Sequence, residues 1–327
     1  MSDAGVPRRQ LGSTGLSVSQ IGLGCSGFWG NRNFSEVAAE KIVRRALERG
    51  VNLFDTGINY SNYNAEPRLG RILQRAYSQW PREQLVLSSK AGTVTGQAGI
   101  KGEVQDYSPG HIQRCCEQSL RNLHCEYLDI FYLHGIGVHQ INDDLLAALD
   151  KMRHAGKFRL LGINTHSSAT MQYLGQNPGL FDVALIDYNA LQQDREPLIT
   201  AMHKAGTAIL AGTVLAQGHL SNNRFFHFAR AADVWYMARS LIKPASRRLM
   251  LGATTMRKTI ASIQSQQPAQ TAFAYVLQNP AISSCILGTT QVKNLELVLD
   301  TKVDALNGEE RETIMKTFYD GVWSPSD

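Results

Sequence analysis

Long apolar runs are missing from this sequence. No stretch of about 18 apolar residues, the length that spans a bilayer as a helix, occurs among its 327 residues. The first residues, MSDAGVPRRQLG, also lack the apolar segment found in secretory signal peptides. We therefore expect a cytoplasmic protein that has no membrane partner.

Paired cysteines and blocks of like charge are missing as well. The five cysteines are odd in number, and they form neither a C-x-x-C pair nor a Cys/His cluster with metal-ligand spacing. We expect free thiols in a reducing compartment and no metal site. The net charge is +5, but lysines and arginines are scattered, which argues against a nucleic-acid partner.

The sequence does contain a regular alternation of short apolar runs and helical runs. The predicted strands are 19–25, 51–55, 85–90, 127–134, 159–164, 182–189, 207–212 and 283–288, and the predicted helices are 35–50, 65–77, 108–123, 141–156, 168–176, 195–206, 268–280 and 291–300. Strands that are apolar without alternation are typical of parallel sheets covered on both faces. The series fits a doubly wound open sheet or a closed barrel, and eight continuous units favour the barrel. Residues 1–327 are thus predicted to form one (β/α)8 TIM-barrel domain.

Two segments stand outside the repeating units. Residues 9–20 look like a hairpin that precedes the first barrel strand. Residues 212–267 form an irregular block that is longer than ordinary loops and so indicates a functional excursion. Its aromatic residues either form a lid or anchor the excursion to the barrel wall; they are Phe225, Phe226, Trp235 and Tyr236.

A glycine motif invites a different interpretation. GLGCSG, residues 22–27, matches the G-x-G-x-x-G pattern of dinucleotide-binding folds. In those folds the glycines open a helix, and an acid follows about 20 residues later. Here FWGNRNF follows, the next helix begins only around Ser35, and no strand ends in a suitably placed acid. We prefer a first barrel strand whose glycines leave room for a ligand against the backbone.

Polar residues stand at the carboxyl ends of three successive predicted strands. Asp55, Lys90 and His134 end strands two, three and four, and Tyr60 lies in the loop just past Asp55. Each alone has an ordinary explanation, such as a turn aspartate or a solvated rim lysine. Because active sites of such barrels lie at the carboxyl ends of the strands, the joint placement favours a catalytic group.

The chemistry of these four side chains is coherent. A tyrosine with a pKa of about 10 is a poor acid at neutral pH, but a nearby ammonium stabilises the phenolate and lowers that pKa. An aspartate paired with the lysine would hold it in place. A neutral histidine could hydrogen-bond a carbonyl oxygen. No side chain donates hydride, so a nicotinamide would have to supply it.

Long segments resemble the aldo-keto reductase family. FDTGINYSNYNAEPRLGRIL is similar to the family's D-T-A-x-x-Y signature with its following E-x-x-L-G, and SPGHIQRCCEQSLRNLHCEYLDIFYLH to the segment that ends in the catalytic histidine. LLAALDKMRHAGKFRLLGIN and QPAQTAFAYVLQNPAISSCILGTT also match, so the resemblance covers about Arg9 to Thr301. It implies a (β/α)8 barrel and NAD(P)H-dependent interconversion of carbonyls and alcohols by Asp55, Tyr60, Lys90 and His134.

The resemblance also implies cofactor contacts, some at altered positions. Where the family has a Ser-Asn pair after strand five, this chain has Asn164 and Thr165. Leu185 replaces a common glutamine, and Gly212 replaces an aromatic residue that stacks on the nicotinamide. The other expected contacts are Gly24, Cys25, Asp55, Thr213, Leu215, Gly288, Thr289, Thr290, Gln291, Lys293 and Asn294.

The loop after strand eight bears on coenzyme choice. It should hold the adenosine phosphate at a helix N-terminus, but it lacks the arginine that NADP-dependent relatives commonly have there. Lys293 could supply a charge, so NADPH is expected and NADH is possible. The substrate pocket is expected to include Phe28, Trp29 and Tyr63.

Two functional hypotheses follow. The first is an oxidoreductase that acts on a small aldehyde, ketone or sugar-like carbonyl or alcohol. The second is a protein of the same fold with changed cofactor use, either a nucleotide-binding regulatory subunit or a redox-neutral dehydratase or epimerase. The four catalytic residues favour the first, whereas Leu185 and Gly212 keep the second open. No oligomeric state is predicted.

The spacing of the two tyrosines leads to a first test. Tyr60→Phe should bind coenzyme normally and lose carbonyl reduction by about 10²–10⁴-fold, the usual contribution of a positioned acid. Coenzyme titration and steady-state kinetics measure the two effects. Tyr63→Phe is the matched control, and turnover lost in that variant but kept in Tyr60→Phe would contradict the assignment.

Overall fold

Strands and helices alternate along the chain as the sequence predicts. The computed structural model describes residues 5–95, 103–220 and 244–320, with the backbone alone for 244–252 and 319–320. The strands are β1 (Arg8–Gln10), β2 (Ser17–Ser19), β3 (Ile21–Gly24), β4 (Leu53–Asp55), β5 (Val86–Ala91), β6 (Thr93–Thr95), β7 (Glu103–Gln105), β8 (Leu128–His134), β9 (Phe158–Thr165), β10 (Val183–Asp187), β11 (Ala208–Gly212) and β12 (Ile282–Gly288). The helices are α1 (Glu36–Glu48), α2 (Ala65–Ala76), α3 (Pro109–Leu123), α4 (Asp143–His154), α5 (Ser168–Gln176), α6 (Glu196–Lys204), α7 (Pro244–Ser262), α8 (Pro268–Leu277), α9 (Val292–Leu299) and α10 (Gly308–Asp320).

Eight parallel strands close into a barrel. Their order around the ring is β3-β4-β5-β8-β9-β10-β11-β12, and β12 pairs with β3 to complete it. Each barrel strand is followed by a helix that packs outside it. The predicted (β/α)8 fold is therefore confirmed.

The predicted N-terminal hairpin is present and plugs the amino-terminal end of the barrel. β1 and β2 pair antiparallel, with Arg8 opposite Ser19. Leu11 and Val18 are fully buried against the residues that fill the barrel lumen. The Asn52 side chain, just before β4, accepts a hydrogen bond from the Ser19 amide at 2.7 Å, which ties the hairpin to the barrel.

Period-two alternation decides which side chains face the lumen. Side chains of a strand point alternately to its two faces. Val183 and Leu185 of β10 belong to the lumen cluster, as do Ile130 and Tyr132 of β8. Continuing each series by two residues places the strand-end side chains at the carboxyl mouth of the barrel. Val86 of β5 belongs to the lumen cluster. Lys90 lies four residues later on the same strand, so the alternation places it on the same inward face.

Glycines on the first barrel strand serve packing. A Cβ atom on Gly22 would lie 2.9 Å from Leu53 side-chain atoms, and one on Gly24 would lie 2.8 Å from Ile286 Cγ2. Lumen side chains occupy the space that a side chain at either position would need, so packing favours glycine at both, and the interpretation that these glycines leave room for a ligand against the backbone stays a prediction. The main chain of Gly24 as a cofactor contact stays a prediction.

The excursion after β11 is less irregular than its sequence suggested. Within the described residues it contains α7, whose Met256 and Ile260 are buried and whose Thr259 hydroxyl lies 3.0 Å from that of Thr317 on α10. The four lid aromatics, Phe225, Phe226, Trp235 and Tyr236, lie outside the described residues.

Helix ends differ in how they are capped. Ser35 and Asn142 each accept a hydrogen bond from a backbone amide of the first turn of α1 and α4, respectively. Ser108 occupies the N-cap position of α3, with Pro109 next, but its side chain makes no cap hydrogen bond. None of the helices among the described residues is long and apolar enough to cross a membrane.

Close packing of α2 on α3 provides a stability test. A Cβ atom on Gly70 of α2 would lie 2.0 Å from the carbonyl oxygen of Asn122 and 2.8 Å from Leu123 Cα. Because both are backbone atoms, Gly70→Ala should lower the free energy of unfolding by about 1–3 kcal/mol or more. Denaturant unfolding measures the change.

Gly308 at the start of α10 supplies the control, since a Cβ atom there meets nothing within 4 Å. Gly308→Ala should leave the free energy of unfolding unchanged or raise it by up to about 1 kcal/mol. Equal effects of the two substitutions would show that helix propensity, and not the contact between α2 and α3, governs Gly70.

Candidate active site

A buried ion pair stands at the centre of the barrel mouth. Lys90 Nζ donates to Asp55 Oδ2 at 2.6 Å and to the Thr56 carbonyl at 2.7 Å, and the Lys90 side chain is 1 % exposed. The second carboxylate oxygen of Asp55 accepts from the Ser88 hydroxyl at 2.7 Å. Both oxygens of the carboxylate are thereby occupied, so the pair has few alternative arrangements.

Lys90 is held in its charged form. Burial by itself would lower the pKa of this lysine, but Asp55 and Tyr60 outweigh burial and raise the pKa above its ordinary value. A cation is thus kept inside the protein, 4.9 Å from the centroid of the Tyr60 ring.

An unusual turn places Tyr60 above this cation. The three residues after it adopt left-handed backbone conformations, with φ of 52°, 52° and 65° at Ser61, Asn62 and Tyr63. Such conformations cost energy in residues other than glycine and persist only where the surroundings enforce them. Ser61 supplies part of that enforcement, since its hydroxyl donates to the Gly27 carbonyl and accepts from the Gly30 amide.

The second tyrosine of the turn has a different partner. The Tyr63 hydroxyl accepts a hydrogen bond from the Thr95 amide at 3.2 Å, which links the turn to the β6–β7 hairpin. This contact supports Tyr60 as the acid. A place for Tyr63 in the substrate pocket stays a prediction.

His134 meets Tyr60 edge-on. The two ring centroids are 5.6 Å apart, with the ring planes at 89°. The hydroxyls of Thr93 and Tyr107 donate to the His134 carbonyl at 2.9 and 2.6 Å and fix the end of β8. Burial, helped by Lys90 and His166, lowers the pKa of His134 to about 3, so its imidazole is neutral at ordinary pH.

The pKa of Tyr60 differs from the sequence expectation. Burial raises it above its ordinary value, and Lys90 opposes the rise without reversing it. Lys90 lowers the pKa of Tyr60, as expected. The expected net lowering of this pKa is wrong, because burial destabilises the phenolate more than the ammonium stabilises it. At neutral pH Tyr60 is a protonated phenol.

The rim has a polar half and a glycine half. Four neighbouring strands carry polar residues at their last or next-to-last positions, namely Asp55, Lys90, His134 and Asn164, whereas the three strands that close the ring end in Gly212, Gly288 and Gly24. A Cβ atom on Gly288 would meet nothing within 4 Å, and one on Gly212 would make only ordinary contacts. These glycines therefore place no side chain of their own over the mouth on the side of β11 and β12.

The other predicted cofactor residues include Asn164 and Thr165 on β9, Leu185 on β10 and Cys25 just after β3. Asn164 and Thr165 are buried, and the Asn164 amide nitrogen donates to the Leu185 carbonyl at 3.0 Å. Leu185 itself packs in the lumen cluster and offers no hydrogen-bonding side chain. The buried thiol of Cys25 has a pKa raised well above its ordinary value by burial, so it stays neutral.

Two loops supply polar groups to the open side. Thr213 has φ of 51°, and its buried hydroxyl finds no hydrogen-bond partner within the part of the chain that the structure describes. Leu215 follows, half-buried. After β12, Thr289 Oγ1 accepts from the Gln291 amide at 3.2 Å, and Gln291 is the N-cap of α9 without a side-chain cap.

Lys293 and Asn294 are exposed in the first turn of α9, and Thr290 is half-buried just before it. The uncapped amides and the lysine charge could hold a phosphate there.

The two aromatic residues of the predicted pocket are placed differently. Phe28 is 49 % exposed, whereas Trp29 is 2 % exposed and packs edge-on against Phe34 at 5.6 Å. Their roles toward a substrate stay predictions.

Sequence reasoning missed several supporting groups. Ser88 precedes Lys90 by two residues, and alternation along β5 could have revealed it. The same alternation extends from Leu185 to Asp187, whose Oδ2 lies 2.6 Å from Nδ1 of His166. No group of three or more His, Cys, Asp or Glu side chains among the described residues could hold a metal ion.

Comparisons with known proteins show the family of the chain. Residues 20–316 match the model of the Aldo/keto reductase family. The chain is 28 % identical to L-galactose dehydrogenase of Arabidopsis thaliana, over 94 % of this chain and 91 % of that protein. It is 27 % identical to L-glyceraldehyde 3-phosphate reductase of Escherichia coli K12, over 91 % and 87 %.

The fold matches solved structures as well. An aldo-keto reductase from Bacillus halodurans in its holo form superposes with a TM-score of 0.78 at 21 % identity, over 98 % of this chain and 99 % of that one. A glycerol dehydrogenase from Gluconobacter oxydans superposes with a TM-score of 0.76 at 21 % identity, over 100 % and 98 %.

Removal of the buried cation provides a test of the site. Lys90→Met should raise the pKa of Tyr60 further, because the charge that favours the phenolate is gone. With Tyr60 as the base that the sequence predicts, the rate of alcohol oxidation should reach half-maximum at a higher pH than in the wild type. A pH–rate profile identical to that of the wild type would exclude Lys90 from proton transfer.

Lys90→Met should also lower the stability of the protein. Asp55 would be left buried without its cation, which should lower the free energy of unfolding by about 3–5 kcal/mol. The double variant Asp55→Asn/Lys90→Met should recover part of this loss, since it leaves no unpaired charge. Additive effects of the two substitutions would contradict a direct interaction.

Proposed function

Because the chain belongs to the aldo/keto reductase family and is an NAD(P)H-dependent oxidoreductase, we propose that it reduces a small aldehyde, ketone or sugar-like carbonyl with Tyr60 as the proton donor. The single observation that carries this proposal is the buried Lys90 ammonium, 2.6 Å from Asp55 and 4.9 Å from the Tyr60 ring centroid. An ammonium in this position stabilises the phenolate that forms when Tyr60 gives its proton to the substrate oxygen.

The proton comes from the Tyr60 hydroxyl. Hydride addition to a carbonyl carbon leaves an alkoxide, which is a stronger base than a phenolate, so even a phenol of raised pKa can protonate it. Lys90 then stabilises the phenolate that remains. Asp55 keeps Lys90 charged and in place.

His134 orients the oxygen that receives the proton. Its pKa of about 3 means that the imidazole is neutral at physiological pH and does not compete with Tyr60 as an acid. The edge-on packing against Tyr60 brings both side chains to one point of the mouth. A carbonyl oxygen bound there can contact the Tyr60 hydroxyl and the His134 ring together.

A bound nicotinamide would supply the hydride. Gly212 and Gly288 leave the mouth open for a flat ring, and Asn164 and Thr165 border that opening with polar groups. The Thr213 hydroxyl, which has no hydrogen-bond partner among the described residues, and the N-terminus of α9, which lacks a side-chain cap, are suited to phosphate oxygens. These features are those that a dinucleotide would need.

NADPH is the coenzyme we propose. Lys293 is the cation next to the N-terminus of α9, where a 2′-phosphate would gain from both the charge and the free amides. A lysine acts as a point charge and lacks the two-pronged phosphate grip of arginine. The preference over NADH should therefore be modest and weakened by salt.

Hydroxylated aldehydes and sugar lactols are the first substrates to test. The names of two relatives, an L-galactose dehydrogenase and an L-glyceraldehyde 3-phosphate reductase, indicate such compounds for those proteins. The decisive experiment titrates the purified protein with NADPH and NADH by fluorescence and then follows coenzyme oxidation with a carbonyl panel. Failure to bind either coenzyme at millimolar concentration would favour a regulatory or redox-neutral role.

The coenzyme proposal has its own test. Lys293→Ala should weaken NADPH binding by about three- to five-fold, the range of an exposed ion pair, and leave NADH binding unchanged. Fluorescence titration at low and high salt measures both affinities. Lys302→Ala removes another exposed lysine as the control. Equal losses for the two coenzymes in Lys293→Ala would show that Lys293 does not contact the 2′-phosphate.

A further inference from the structure

A histidine–aspartate pair lies on the rim beside the catalytic residues. His166 follows β9, Asp187 ends β10, and Nδ1 of the imidazole lies 2.6 Å from Oδ2 of the carboxylate. The proposed proton transfer uses neither residue. Their place on the two strands after His134 raises the question of what they contact.

The Asp187 carboxylate faces the mouth of the barrel. It continues the inward series of Val183 and Leu185, which belong to the lumen cluster. Asp187 pairs in register with Gly212, and its Oδ1 would be 3.7 Å from a Cβ atom on that glycine. The carboxylate therefore borders the opening left by the glycine half of the rim.

The pair is braced by a third residue. Arg195 donates from Nη1 to the Asp187 carbonyl at 2.6 Å and from Nη2 to the His166 carbonyl at 3.0 Å. These bonds hold the two strand ends together, while the His166 side chain stays 63 % exposed. The imidazole is thus fixed by Asp187 on one side and open to solvent or ligand on the other.

The charges of His166 and Asp187 influence the pKa values of His134 and Tyr60. His166 contributes to the lowered pKa of His134, and Asp187 contributes to the raised pKa of Tyr60. Hydride transfer requires the donor ring and the carbonyl carbon to be about 3–3.5 Å apart. A nicotinamide ring beside a carbonyl bound at Tyr60 would lie at the opening that the Asp187 carboxylate borders.

We propose that the His166–Asp187 pair determines which redox state of the nicotinamide the protein binds more tightly. The inference rests on the proposed function, because it requires a nicotinamide at the open side of the mouth. The ring is neutral in the reduced coenzyme and carries one positive charge in the oxidised coenzyme. The Asp187 carboxylate favours the positive ring, and a proton on His166 offsets that preference.

This assignment makes the preference depend on pH. The hydrogen bond to Asp187 raises the pKa of His166 above its ordinary value of about 6.5, so the proton is lost as pH rises through the neutral range or above it. The other charged or titratable groups that act on the pair or share the mouth are Arg195, His134, Lys90 and Tyr60. Deprotonation of His166 should strengthen binding of the oxidised form relative to the reduced form.

The test measures dissociation constants for NADP⁺ and NADPH by titration, with no turnover required. Wild type, Asp187→Asn and His166→Gln are each titrated at about pH 6 and about pH 9, on either side of the histidine range. Asp150→Asn is the matched control. It removes the carboxylate of another His–Asp pair, in which His154 Nδ1 lies 3.3 Å from Asp150 Oδ2 on the exposed face of α4.

The readout is the ratio of the NADP⁺ constant to the NADPH constant, in which effects common to both forms cancel. In the wild type this ratio should fall about five-fold between the two pH values, as expected for one charge at partly screened range. In His166→Gln it should stay at its high-pH value throughout. In Asp187→Asn the ratio at high pH should rise about five-fold above that of the wild type. Asp150→Asn should match the wild type.

Three results would overturn the inference. Equal weakening of NADP⁺ and NADPH binding in Asp187→Asn would show that the pair only holds the two strand ends together. An unchanged pH dependence of the ratio in His166→Gln would place the titrating group elsewhere. Absence of binding of either form to the wild type would instead remove the proposed function on which the inference depends, and this outcome is distinct from the other two.

Discussion

The Asp55–Lys90 ion pair is the interaction on which the rest of the site depends. A lysine that is 1 % exposed can stay charged only if its surroundings repay the loss of water, and here the carboxylate of Asp55, the Thr56 carbonyl and the Tyr60 phenol do so. Ser88 holds the other oxygen of the carboxylate. Without this cation Tyr60 would be a partly buried phenol that lacks the charge that favours its phenolate.

Because side chains alternate along each strand, the closed barrel brings the inward-facing side chains of the strand ends together at one rim. Inward-facing positions at the ends of successive strands carry an acid, a lysine, a histidine and an amide on one side, and glycines on the other. The polar half can move a proton, and the open half can accept a flat ring. His166 and Asp187 stand where the two halves meet, so under the proposed function one rim would join proton transfer to the charge of the coenzyme.

Much of this arrangement could be predicted from the sequence, because apolar strand runs and their terminal polar residues are local features. Asp55, Lys90 and His134 were found as strand ends, and Tyr60 by its spacing from Asp55. The left-handed turn at Ser61–Tyr63 could not be predicted, since its residues are not glycines and contacts with the loop after β3 enforce it.

The net pKa of Tyr60 was also beyond the sequence, since it depends on the balance of burial against one charge. The packing role of Gly22 and Gly24 was likewise beyond the sequence. Only the packed barrel shows that Leu53 and Ile286 fill the space above them.

The most direct measurement of the central claim is the ionisation of Lys90. Nuclear magnetic resonance of the protein labelled with ¹⁵N at lysine Nζ, with the Lys90 signal assigned from Lys90→Met, reports the pKa of this one group. The account predicts an ammonium at neutral pH that titrates above the ordinary lysine value of about 10.4. A neutral amine at Lys90 at pH 7 would contradict it, because no buried cation would then be present to support Tyr60.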